Sequence, residues 1–343
     1  MLHAACVLSK FLLPLAFVAL YVALDAASFI HPLHGLNITP WNPAAALGLV
    51  FLLRRGPGAG PVLVVAVLLG EYLVRGVPFP WWNRLLPALI LATGYLLLSA
   101  VLRRRMAPTT LLDDRAALVG WMLPVVCGTL LNSLVYVSSL CLLGLLPWDG
   151  WSAGVVRSWV GDAVGITVAM PLFWWLSVGR GRLALHTVLR SWETLGHSLL
   201  GVVVLWIAFG LGGEGGFKLF YFLFLPIVWA SVRQGMAGAI VSATVLQLGM
   251  IGAMQVLDFR AVTMAELQML AVVIVLVGFF IGGVVDEQCR TSSELRQTLR
   301  LAAAGEMAGA LAHELNQPLT AMGAYASAYD ALQVRGETGS RLE

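Results

Sequence analysis

The chain has 343 residues, 59% of them hydrophobic and only 11% charged, whereas a soluble domain carries charge on about a quarter of its residues; a water-soluble globule is excluded and an integral membrane protein is expected. The net charge of +3 comes from arginines clustered between apolar runs, which report membrane topology, and no basic tract with interleaved aromatics points to nucleic acid. Cys6, Cys127, Cys141 and Cys289 show neither paired metal spacing nor a disulfide framework.

Allowing about 20 apolar residues per crossing, and fewer inside a bundle, ten candidate spans follow in chain order. They lie near 9–30, 40–54, 60–75, 84–102, 116–145, 154–178, 194–211, 217–232, 235–256 and 264–285. The first carries one lysine, Lys10, and no cleavage site, so it reads as a spanning helix and not a leader. The second, third and eighth are short, which leaves a count of eight open; both counts are even. With the N-terminus inside, the cytoplasmic loops collect Lys10, Arg54, Arg55, Arg103, Arg104, Arg105, Arg115, Arg180, Arg182, Arg190 and Arg233. The opposite side collects Arg75, Arg84, Arg157, Lys218 and Arg260, so eleven basic residues against five predict that everything after 285 is cytoplasmic. The loops are too short for a folded outer domain. Three of the outer ones, His31–Gly35, Val77–Trp82 and Pro147–Trp151, are rich in Trp, Pro and Gly and read as an aromatic belt. His3, His31 and His34 have no carboxylate or cysteine nearby, so no metal site is expected.

Polar groups within spans are costly in hydrocarbon and mark candidate sites. Trp159-Val160-Gly161-Asp162-Ala163-Val164-Gly165 sets a carboxylate between two glycines, with Pro171 a little over two turns later, and predicts the least regular helix of the bundle. Asp162 is either a buried carboxylate satisfied by Arg157, Asn132 or a tryptophan indole, or a ligand or proton site; Arg157, Trp159, Asn42 and Asn132 are its companion sensor candidates. Asn132, His197, Thr244 and Gln247 read as cross-helix hydrogen bonders. Trp41-Asn42-Pro43-Ala44-Ala45-Ala46-Leu47-Gly48 opens the second span, and Pro226-Ile227-Val228-Trp229-Ala230-Ser231-Val232-Arg233-Gln234-Gly235 closes the eighth.

Together these three stretches resemble the MASE1 family, a bacterial membrane-associated sensor domain that precedes histidine kinases and diguanylate cyclases. The likeness covers roughly residues 10 to 285, departs from the family at Asn42, and implies signal input at a bacterial inner membrane without naming the signal.

From Asp286 to Arg300 the composition turns polar, without Gly or Pro, and Leu295 and Leu299 stand four apart, which suits a helical connector. Beyond it, Leu301, Met307, Leu311, Leu315 and Leu319 share one helical stripe and leave His313 pointing outward, with Glu314 beside it and Pro318 one turn on. The run His313-Glu314-Leu315-Asn316-Gln317-Pro318-Leu319 resembles the phosphoacceptor box of sensor histidine kinases (HisKA). That resemblance implies a dimeric four-helix bundle in which His313 accepts a phosphoryl group and Glu314 orients and deprotonates its ring. It also places Gln317 where many relatives position a water for dephosphorylation of a response regulator.

The expected architecture is therefore all-α: a polytopic bundle of eight to ten spans over 9–285, a connector over 286–300, and a phosphotransfer region over 301–343. The partners implied are a response regulator, a second copy through the cytoplasmic helices, membrane lipid and a membrane-protein partner, with no nucleic acid. A complete kinase also needs a nucleotide-binding domain. None is present in these residues, and Gly210-Leu211-Gly212-Gly213-Glu214-Gly215-Gly216 lacks the lysine-serine pair of a phosphate loop. ATP and Mg would thus be bound by sequence beyond Glu343, and this stretch alone would be inactive. The alternative reading is a transporter-like or partner-binding membrane module with a non-catalytic dimerisation helix.

Overall fold

A computed structural model describes residues 2–29, 33, 36, 38–39, 41–74, 81–105, 115–210, 216–257 and 261–334, and they are helical with no strand among them. The helices are α1 (Leu2–Ser28), α2 (Pro43–Arg55), α3 (Gly60–Leu73), α4 (Trp81–Arg105), α5 (Arg115–Leu142), α6 (Trp151–Ser177), α7 (Gly179–Leu189), α8 (Trp192–Gly210), α9 (Phe224–Leu257) and α10 (Ala261–Val334). Short 3-10 turns at Pro57–Ala59, Trp148–Gly150 and Gly216–Leu223 join some of them. Six helices among the described residues are long and apolar enough to cross a membrane, as in a multi-pass membrane protein. Leu12–Ser28 and Pro57–Leu73 are apolar but shorter. Two compact units divide the chain, Met1–Asp286 and Glu287–Glu343.

In the first unit, α2 and α6 form the centre. Every residue from Val160 to Pro171 is buried, and so is nearly all of α2, which packs on α1, α4 and α6. At 13 residues α2 is only about 20 Å long, well short of a hydrocarbon core of about 30 Å. A short helix in that setting needs its end groups bonded by protein, because lipid offers no partner. At its start Asn42 caps the Ala45 N–H at 3.3 Å. At its end Arg103 of α4 donates to the carbonyls of Leu52, at 3.1 Å, and Leu53. Arg54 in turn reaches the Ser177 carbonyl at the end of α6, 3.1 Å away. Arginines that the sequence offers as topology markers thus also cap helix ends.

The expected span 217–232 falls in the 3-10 segment Gly216–Leu223 and the start of α9, and 235–256 in the rest of α9, which breaks at Gly235 (φ 61°, ψ −146°). The break folds α9 into a hairpin: Gly238 lies against the Ala230 carbonyl, and Gly201 of α8 faces both Pro226 and Leu246. The arm 224–234 is about 16 Å long, entered through the 3-10 segment 216–223, and the arm 236–257 is about 33 Å long. Residues 180–190, expected as a loop, belong largely to α7, which buries Leu185 while Leu183 and Leu189 stay exposed. The expectation that α6 is the least regular helix fails: α6 runs unbroken from Trp151 to Ser177 through Pro171, and the irregularity sits at Gly235.

In the second unit the described residues are helical to Val334, with Pro318 inside the helix and no break. Leu295, Leu299, Leu301, Met307, Leu311, Leu315 and Leu319 are all more than half exposed.

Candidate functional site

Three polar arrangements stand out against the apolar background. The first is at the centre of the bundle. Asp162 is 4% exposed; its two carboxylate oxygens accept from Asn42 Nδ2 and Tyr95 Oη, each at 2.8 Å. The Asn42 backbone N–H donates to the Gly161 carbonyl at 3.0 Å. Gly165 makes that approach feasible, since a Cβ there would fall on the Asn42 backbone carbonyl. Asn42 therefore serves two helices, capping α2 through Oδ1 and holding the α6 carboxylate through Nδ2, which positions Asp162 firmly. Both of the hydrogen bonds to Asp162 come from neutral donors.

Of the partners expected for Asp162, neither Asn132 nor Trp159 bonds it; Asn42 and Tyr95 do. Asn132 packs on Gly94 and its Nδ2 has no hydrogen-bond partner among the described residues, so it is no cross-helix hydrogen bonder there. Trp159 Nε1 donates to the Val126 carbonyl at 3.0 Å. Arg157 is half-buried on α6. Thr244 bonds back to the Ile240 carbonyl of its own helix and not across helices. Gln247 does bond across, donating to Gln268 at 2.8 Å. Tyr95 is the member that sequence reasoning missed, because a lone tyrosine in an apolar run carries no distinguishing signal. Asp25 was missed too: it is 3% exposed on α1 and faces Gly70 of α3.

The second arrangement is the tip of the α9 hairpin. Asp286 of α10, the last residue of the first unit, accepts the Met236 N–H at 2.9 Å and so caps the longer arm. A Cβ on Gly235 would strike that carboxylate, and the Gly235 backbone lies where L side chains are strained, so the residue is glycine for two reasons. On the other side of the tip, Gln234 bonds Ser191 and Thr194 of the α8 start, and its Oε1 lies 3.1 Å from His197 Nε2. Arg233 pairs with Glu193 at the surface. The Arg-Gln-Gly end of the third sequence motif is thus a turn clamped between α8 and α10.

The third arrangement lies on the second unit. His313, Glu314 and Gln317 are exposed, and His313 Nε2 and Gln317 Nε2 approach to 3.5 Å, the outer limit of a hydrogen bond. The apolar stripe from Met307 to Leu319 centres on the opposite side of the same helix.

No group of three or more His, Cys, Asp or Glu residues able to hold a metal exists among the described residues. The loops at 31–32, 34–35 and 77–80 and the glycine run 211–215 lie outside the described residues, as do the side chains of His3 and Arg115 and everything past Val334. Comparisons with protein-family models, with curated proteins and with solved structures give no match to this chain.

Proposed function

We propose that this chain is the sensor and phosphoacceptor portion of a membrane histidine kinase, with a MASE1-like input bundle and a HisKA-like output helix. The observation that carries the reading is the exposed pair His313 and Gln317, followed in sequence by the exposed Glu314, on a helix whose side opposite the pair is an unburied apolar stripe. An exposed imidazole is a competent nucleophile toward a phosphoryl group through its unprotonated ring nitrogen, and Glu314 follows it directly in sequence. Gln317 is close enough to share a water or a phosphoryl oxygen with the ring. The leucine stripe supplies the contact that would pair two such helices. ATP and Mg would come from a separate nucleotide-binding domain, and an aspartate of a response regulator would take the phosphoryl group on. In this arrangement the output helix is cytoplasmic.

The signal would enter through the Asn42, Tyr95 and Asp162 centre and leave through Asp286. Asp286 is the last residue of the bundle, and it holds the only backbone break within the described helices. A cap that is either made or lost is a two-state element, and signalling needs one.

The test is to incubate the full-length protein in membranes with γ-labelled ATP and Mg. The expected label is stable to base, labile to acid, and absent in His313→Gln. Label that persists in His313→Gln would overturn the assignment, as would no acid-labile label under any condition.

A further inference from the structure

A groove of about 660 Å³ runs along the outer faces of α4 and α5. Its walls are apolar, with Leu97, Leu131, Cys127 and Thr93 exposed along it, Asn132 buried at its floor, and Arg105 at one end. Along α4 it extends from Arg105 to Leu89, about 24 Å at the rise of an α-helix. One leaflet, counted as half of the hydrocarbon core plus one headgroup layer, is about 20–22 Å deep. The groove therefore matches a single leaflet in depth, and its one charged end lies where a headgroup would be.

We infer that this groove is a binding site for one anionic phospholipid, its acyl chain lying between α4 and α5 and its phosphate against Arg105. Charge placement separates this from general solvation by lipid. Arg103, two residues away, is turned inward onto the α2 carbonyls, which leaves Arg105 as the guanidinium that lines the groove. A guanidinium suits phosphate better than an ammonium would, because its planar fork offers two parallel donors. A neutral lipid would gain the chain contacts but not the charge. The inference stands independently of the histidine-kinase reading, since it concerns binding alone.

Native mass spectrometry of the purified full chain, exchanged into mixed phosphatidylglycerol and phosphatidylcholine, tests it. Wild type should retain one phosphatidylglycerol in preference to phosphatidylcholine by about fivefold, the size expected of one basic residue acting on an anionic lipid. Arg105→Gln should abolish the preference while leaving phosphatidylcholine retention unchanged. Cys127→Trp, which fills the groove without touching the arginine, should reduce retention of both lipids. Equal retention of the two lipids by wild type would overturn the site and leave ordinary boundary lipid only. A preference that survives both substitutions would overturn it as well, and would place the bound anion elsewhere.

Discussion

Asp162 was legible in the sequence because a carboxylate between two glycines in an apolar run is expensive unless something holds it, and Asn42 because it precedes a proline at a helix start. Their contact was not legible: the two are 120 positions apart, and only the packing of α2 on α6 brings them together. Tyr95 completes the pair. Removing the carboxylate with Asp162→Ala would strand two buried donors and should cost about 2–4 kcal/mol, whereas Tyr95→Phe, which removes one donor, should cost about 1–3. Thermal unfolding in detergent checks both values. Gly165→Ala should be worse than its size suggests, about 3 kcal/mol or more, because the new methyl meets backbone and not a side chain that can turn away. A fully folded Gly165→Ala protein with wild-type melting would mean that α2 and α6 are not packed as described.

Among the elements, the long apolar helices could be read directly from hydropathy, since burial in lipid needs only length and composition. Hydropathy did not reveal α7, whose Gly-Arg-Gly-Arg start reads as a loop; it folds because Leu185 has a buried place to go. Nor did it reveal the Gly235 break, for Arg233-Gln234-Gly235 looks like the polar end of a span, and the capping carboxylate comes from a helix 50 residues later. Conversely, Pro171 promised irregularity that α6 does not show. The hairpin gives two contrasting variants. Asp286→Ala should weaken the cap by about 0.5–2 kcal/mol, while Asp286→Asn, an equally good cap, should restore it to within a few tenths. Gly235→Ala should cost about 1–3 kcal/mol from backbone strain, with the clash on Asp286 added. Hydrogen exchange at the Met236 amide reads the cap locally: faster exchange is expected in the Ala variant and wild-type protection in the Asn variant. Equal protection in all three would remove Asp286 as the cap.

For the molecule as a whole, a buried bundle is followed by a helix whose apolar residues stay in solvent. Leu311 and Leu315 are 57% and 63% exposed, so the second unit has an apolar side that nothing within the chain covers among the described residues. A second copy is the expected cover. Replacing both leucines with glutamate should shift the full chain from dimer to monomer, read by light scattering in detergent; an unchanged dimer would put the contact in the membrane. The measurement that bears most directly on sensing and output together is the phosphohistidine content of His313 in membranes, compared among wild type, Asp286→Ala and Asp286→Asn at equal expression. We expect base-stable phosphate on His313 in wild type, a change of severalfold in Asp286→Ala, and recovery in Asp286→Asn. Absence of phosphohistidine in wild type would contradict the kinase function, and an identical level in all three proteins would contradict transmission through the Gly235 and Asp286 junction.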